Sequence, residues 1–335
     1  MKKFAQYALS LGLTALFGYM AFADVEVSAL WVEMQRASPL SLGTIVVITL
    51  ARIWSLTWRC QLMMRQFAAH IGFVATYMAL AGCSGPNVVG PRAGDVLRAV
   101  VLGWSDKMPL APMLGSVVAE RVFDVLLLEL LAGAVFSLVT PAAAEFYPQL
   151  AWSLPLGIAA VGLALGVMMA FAAGRYELVV HALRRVSLRL GMLVEPHITA
   201  LALGMGALRN PHLFATIAAV SLLMHLGYAG LLYVGFWGFG LTETYDLGTV
   251  AALTTMVVSA VAFFVPTPAG SGPYHFFFKE ALTAFYGVPP TEALACATIV
   301  HATYNATYLV VGGGAAVAVQ IRRFAGERAA RAGRE

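Results

Sequence analysis

Glu120, Arg121 and Asp124 stand inside a long apolar run, 110–139, where an ionisable side chain is costly unless it is paired or wet. Glu120 and Asp124 are four residues apart and share one helix face, with Arg121 adjacent. Glu120 follows Pro109 by eleven residues, about 16 Å along a helix, which puts the group near mid-bilayer. Two chemistries fit this spacing. One is a structural ion pair that locks this helix to a neighbour. The other is the charged wall of a cavity for a lipid head group, in which the carboxylates balance the arginines and bind a coupling proton.

Three further groups of polar residues break apolar stretches. Arg92, Asp95 and Arg98 surround Pro91 and Gly94, and a guanidinium at Arg92 suits bidentate contact with a phosphate. His275 and Lys279 are four apart, hence on one face, and Glu280 follows. His301 and Asn305 repeat that spacing near the C-terminus, where a membrane histidine ordinarily bonds another helix. Arg52 is expected to snorkel toward the inner interface. No nucleotide-binding GxxxxGK[ST], HExxH or Asp-x-Asp motif is present, so no catalytic residue, metal or cofactor is assigned.

Two Pro/Gly knots position these residues. Phe264-Val-Pro-Thr-Pro-Ala-Gly-Ser-Gly-Pro273 holds three prolines and two glycines, and Ser84-Gly-Pro-Asn-Val-Val-Gly-Pro-Arg-Ala-Gly94 is a second such segment. Neither continues a helix. At membrane depth, irregular backbone survives only where protein or a wet cavity satisfies it. Paired interruptions in the two halves of a chain point to a transport site. Pro268, Gly270 and Gly272 belong to the later knot.

Apolar runs near the bilayer-spanning length of about 20 residues fall at 4–22, 40–58, 110–139, 152–173, 213–239 and 293–321, with knot-bearing hairpins at 71–103 and 247–286. Lys2, Lys3, Arg59, Arg65, Lys107, Arg175, Arg184, Arg185, Arg189, Arg209 and the basic tail 322–335 fall in one set of loops. The other set carries Arg36 against Asp24, Glu26, Glu33, Glu145, Glu243, Asp246 and Glu292. The positive-inside rule then puts both termini in the cytoplasm and makes the hairpins dip in from opposite sides. Gly90-Pro-Arg-Ala-Gly94 and Pro266-Thr-Pro-Ala-Gly270 correspond roughly, as an inverted repeat requires. Residues 175–193 read as one amphipathic helix on the inner leaflet, through Val179, Leu183, Val186 and Leu190.

Composition agrees with this class. The 335 residues are 60% hydrophobic and 11% charged, against roughly 25% charged in soluble domains, and mean hydropathy is +0.80. The expected fold is all-α: a polytopic integral membrane helical bundle, one transmembrane domain over 1–321, with two opposed Pro/Gly-broken re-entrant hairpins. The net charge of +4 reports orientation and not nucleic-acid binding. Cys60, Cys83 and Cys296 form no CxxC pair, so neither a disulfide framework nor a zinc site is indicated. The N-terminal run ends Ala21-Phe22-Ala23 and reads as a retained span or a cleaved signal peptide, with the span favoured.

Taken together, the motifs resemble the lysylphosphatidylglycerol synthase transmembrane, or flippase-like, family along nearly the whole chain. The resemblance lies in Pro91-Arg-Ala-Gly-Asp-Val-Leu-Arg98, Glu120-Arg-Val-Phe-Asp124 and Pro266-Thr-Pro-Ala-Gly-Ser-Gly-Pro-Tyr-His275. The family's common Pro-Gly-Gly reads Pro268-Ala-Gly270 here, and His275 stands where an acidic residue is usual. Its best-known members join this region to a soluble aminoacyl transferase, which these 335 residues do not contain. The resemblance therefore implies lipid translocation and not aminoacylation.

The expected function is an inner-membrane lipid translocase, moving an anionic or glycosylated head group through a polar cavity between the hairpins. Arg92, Arg98, Arg121 and Lys279 would attract the head group. The alternative is a membrane-embedded transferase or hydrolase acting on a lipid-linked substrate, with Glu120, Asp124, His275 and His301 as acid/base groups or metal ligands. Expected partners are the lipid itself and enzymes of lipid synthesis.

Overall fold

The computed structural model describes residues 2–83, 93–105, 110–143, 159–160, 162–163, 166–167, 169–171 and 173–332. Among them every regular element is a helix. Lipid offers the backbone no hydrogen bonds, so each crossing segment must satisfy its own N–H and C=O groups, and helices do so internally.

The chain opens with α1 (Lys2–Phe22), which turns by 85° into α2 (Val27–Met34). Next come α3 (Pro39–Met64), α4 (Phe73–Gly82), α5 (Ala93–Ser105) and α6 (Leu110–Ala143). Then follow α7 (Tyr176–Val186), α8 (Leu188–Gly204), α9 (Pro211–Gly238) and the single turn α10 (Leu241–Thr244). α11 (Thr249–Ala260), α12 (Pro273–Tyr286) and α13 (Pro290–Ala332) complete the bundle. Pro39–Met64, Pro211–Gly238 and Pro290–Ala318 are each long and apolar enough to cross a membrane. The protein is an all-α polytopic bundle.

Two expectations about boundaries are corrected. α3 does not end near Trp58 but runs on to Met64, because no Pro or Gly interrupts Thr57–Met64. Its buried positions Ser41, Ile45, Thr49, Ile53, Thr57 and Cys60 repeat at helical spacing past Trp58. Residues 175–193 are not one helix. Ser187 breaks them with extended backbone (φ −157°, ψ 120°), and its side chain caps α8 by accepting from Leu190 N–H. α7 folds back on α8, and Arg184 pairs with Glu195.

α8 presses on α6 where both helices are small. A Cβ on Gly204 would stand 2.4 Å from the Pro112 carbonyl oxygen, and one on Gly115 would stand 2.6 Å from that of Leu201. Such backbone-to-backbone approach is how helices gain contact in lipid, where burying apolar surface gives little drive.

α9 packs along α3, and α11 and α12 pack on each other and then on α9 and α13. α11 runs on as a 3₁₀ turn, Val261–Phe264, and the helix ends at Val265, whose backbone is extended. Pro268–Gly270 makes a short 3₁₀ turn in which Ala269 has φ 51° and Gly270 φ 72°, and Gly272 follows at φ 89°. A Cβ on Gly272 would fall 2.8 Å from the Thr14 carbonyl oxygen of α1, so only glycine fits there. α1 covers this turn: Phe17 meets the rings of Phe276 and Phe277 at 5.8 Å each.

Candidate functional site

α6 brings Glu120, Arg121 and Asp124 to the junction of α3, α5 and α6. Their partners come from elsewhere. Arg98, on α5, forks onto Glu120 through both Nη atoms, one of them 3.4 Å from Oε1. Arg59, on α3, forks onto Asp124, with Nη2 3.2 Å from Oδ2 and Nη1 closer to Oδ1. Arg59 also donates to Ser221 Oγ of α9 at 3.0 Å and lies 3.7 Å from Glu120. Arg121 lies 3.2 Å from Asp124 and 3.9 Å from Glu120. Arg59, Arg98 and Glu120 have side chains at most 2% exposed, whereas Asp124 is 22% and Arg121 38% exposed. The network is sealed on the α3–α5 side and open at Arg121.

Bidentate guanidinium–carboxylate pairs are the strong form of the salt bridge. Deleting one partner of a buried pair costs about 3–5 kcal/mol. Arg98–Glu120 therefore clamps α5 to α6, and Arg59–Asp124 clamps α3 to α6. Arg59, read from the sequence as a cytoplasmic-loop charge, is a buried centre of the network. The inward four-residue repeat of α3, continuing to Cys60, is the signal that marks it.

One and two turns before Arg59 the polar path continues. The Ser221 carbonyl oxygen accepts from His225 Nδ1 at 2.8 Å, which fixes the proton on that nitrogen because a carbonyl cannot donate. Arg52 does not snorkel. It is the fourteenth of 26 residues in α3, near the helix midpoint, and turns inward. Its Nε donates to Met224 O at 3.1 Å and its Nη1 to Tyr304 Oη at 3.4 Å. The guanidinium carbon lies 4.7 Å from the Tyr228 ring centre and 5.7 Å from that of Tyr304. Each such cation–π contact contributes about 0.5–2 kcal/mol.

Tyr228 and Tyr304 lead to the second knot. The Tyr274 hydroxyl lies beside that of Tyr228, and the Tyr274 ring stacks on His301 at 4.6 Å. His301 Nε2 donates to the Ala269 carbonyl at 3.0 Å and so pins the turn. His275 meets His301 edge-on at 4.9 Å. The buried hydroxyls of Thr267, beside Pro268, and of Tyr274 have no hydrogen-bond partner among the described residues. A continuous seam of charged, hydroxyl and aromatic side chains thus runs from α5 through α6, α3, α9 and α13 to α12.

The remaining expected site residues sit as follows. Gly94 is buried on α5, while Pro91, Arg92 and the side chain of Asp95 lie outside the described residues. So does the expected meeting of the two knots, and most of the 152–173 span. Asn305 donates to the His301 carbonyl of its own helix at 2.8 Å. Pro268, Gly270 and Gly272 form the α11–α12 turn and its exit. Lys279 leaves the seam: although four residues from His275, it is 2% exposed, donates to the Met20 carbonyl at 3.2 Å and lies 3.4 Å from Glu280. It caps the C-terminal end of α1, where helix carbonyls lack partners. Among the described residues no three His, Cys, Asp or Glu side chains converge as a metal site.

Residues 6–312 match the family described as lysylphosphatidylglycerol synthase TM region, and the chain belongs to that family. It is a multi-pass membrane protein related to lipid modification or translocation. Compared with curated proteins, the chain has no match.

Proposed function

We propose that this member of the lysylphosphatidylglycerol synthase transmembrane family is a lipid translocase. It moves an anionic or glycosylated head group between leaflets while the acyl tails stay in the bilayer. The observation that carries this reading is the polar seam linking Arg98 to His301 through the bundle. Charges and hydroxyls are expensive at membrane depth and mark substrate paths there. α11 with its 3₁₀ continuation Val261–Phe264, and α12 with 14 residues, are about 26 and 21 Å long, short of the roughly 30 Å hydrocarbon core. They suit a hairpin that enters and returns on one side. The 71–103 segment would enter from the other side. The excess of Lys and Arg in one set of loops assigns both termini to the cytoplasmic face of the inner membrane.

The test uses proteoliposomes with a labelled anionic lipid in one leaflet, following its arrival in the other and its mass in the same vesicles. Wild type should move lipid unchanged in mass and keep doing so with chelator present. Arg121→Gln removes the exposed cation but leaves Arg59 on Asp124, so it should fold and move lipid more slowly. A wild type that alters the lipid covalently would instead support the embedded-enzyme reading.

Orientation has its own test. Arg189→Cys should resist labelling by an impermeant thiol reagent in intact cells, whereas a cysteine at Glu243 should react. Labelling at 189 would reverse the topology.

A further inference from the structure

Arg52 differs from every other arginine of the seam. Arg59 and Arg98 each fork onto a carboxylate, and Arg121 touches two. Arg52 has no carboxylate within ion-pair distance among the described residues. Its contacts are one backbone carbonyl, one phenol and two aromatic faces. A guanidinium has five N–H donors, and two of Arg52's are used, leaving three. Among the described residues the unused ones are both N–H groups of Nη2 and one of Nη1, and the two terminal nitrogens together match two oxygens of a phosphate or carboxylate.

Its position matters equally. Arg52 occupies the midpoint of an apolar helix, where a lone cation is most costly. The tyrosine faces and one carbonyl offset only part of that cost. They also hold the guanidinium in place, so little freedom is lost when its two terminal nitrogens take a partner. Asp124, which neighbours His225 on the next turn of α9, is committed to Arg59 and Arg121.

We propose that Arg52, held by Tyr228 and Tyr304, is the anion-binding station of the seam, taking a phosphate group by its two terminal nitrogens. The buried, carboxylate-paired Arg59 and Arg98 are structural. This rests on the translocase reading and names the class of head group, a phosphate ester, and the residue that meets it. Tyr304 also reports on Tyr308, 4.9 Å away between ring centres, so a ligand at Arg52 would be felt along α13.

The experiment measures binding by the full chain in detergent, using short-chain phosphatidylglycerol, short-chain diacylglycerol and inorganic phosphate as probes. Wild type should prefer the phospholipid over diacylglycerol. Arg52→Gln should weaken phospholipid binding about tenfold to a hundredfold, the equivalent of one lost charge-assisted contact. It should leave diacylglycerol binding and the unfolding midpoint unchanged. Arg52→Lys, with the charge but not the fork, should fall between. Arg36→Gln, an exposed charge paired only with Glu33, should bind as wild type does.

Competition by inorganic phosphate at equal concentration would identify free phosphate as the source of the ligand, and its absence would identify the lipid. Unchanged phospholipid preference in a folded Arg52→Gln, or no preference in wild type, would overturn the site. The proteoliposome assay separates this from the reading beneath it. If Arg52→Gln moves lipid as fast as wild type, the translocase stands and the site falls. If wild type binds phospholipid through Arg52 yet moves none, the site stands and the translocase falls.

Discussion

Arg52 and Arg59 occupy the same face of α3, seven residues and about 10 Å apart, and the bundle surrounds them in opposite ways. Around Arg59 the charge is met by carboxylates: Asp124 takes two N–H groups, Ser221 takes another and Glu120 lies close behind, while Nε alone has no partner among the described residues. Around Arg52 there are two aromatic faces, one carbonyl and one phenol, and no carboxylate within ion-pair distance among the described residues. A satisfied charge fastens helices together. A cation with no carboxylate partner among the described residues, kept in the membrane interior by a built clamp, has a use other than fastening. Burial and residue type alone do not separate these roles; the partner list does.

The largest effect expected from this contrast is on Arg59. Arg59→Leu leaves Asp124 and Glu120 short of a cation and should lower stability by about 3–5 kcal/mol, read as the unfolding midpoint in detergent. Adding Asp124→Leu removes the stranded charge together with its partner, and much of the loss should return, because paired residues are not additive. A double variant as unstable as the sum of the two single changes would break the view of the pair as a unit.

His301 marks the far end of the seam and gives the next largest effect. His301→Ala removes the donor to Ala269 and should cost about 1–3 kcal/mol, while His301→Gln, which retains an N–H donor, should cost less. Thermal unfolding of both variants checks the order. In the same turn, Ala269→Gly should stabilise by up to about 1 kcal/mol, since a positive φ of 51° is free for glycine and strained for alanine.

The smallest effect on stability belongs to Arg52. Arg52→Gln takes an unpaired charge out of the membrane interior and should leave the unfolding midpoint unchanged or slightly higher, while lipid movement falls. That outcome, beside a collapsed Arg59→Leu, would sharpen the contrast most. Equal destabilisation by both would erase it.

The sequence by itself determined the class of the molecule. Hydropathy and helical period are local properties, so the apolar runs, the all-helical bundle and the family motifs were legible in order. It also determined that Glu120 and Asp124 share a helix face, with Arg121 adjacent, because a four-residue spacing allows nothing else within one helix. The turn at Pro268–Gly270 was legible for the same local reason.

Only the tertiary structure decided which cation each carboxylate meets. Arg59 lies 65 residues from Asp124, and no spacing rule reaches across that separation. Its place depended on α3 continuing beyond Trp58 and on its inward face meeting α6. Lys279 shows the converse: helical spacing grouped it with His275, but α1 packs over that part of α12, and the ammonium went to the Met20 carbonyl. Arg52 needed three helices at once, since its clamp draws Tyr228 from α9 and Tyr304 from α13. Pairings between distant segments follow from how helix faces pack, and in lipid that packing is decided by close shape complementarity, as at Gly204 and Gly115, and not by hydropathy.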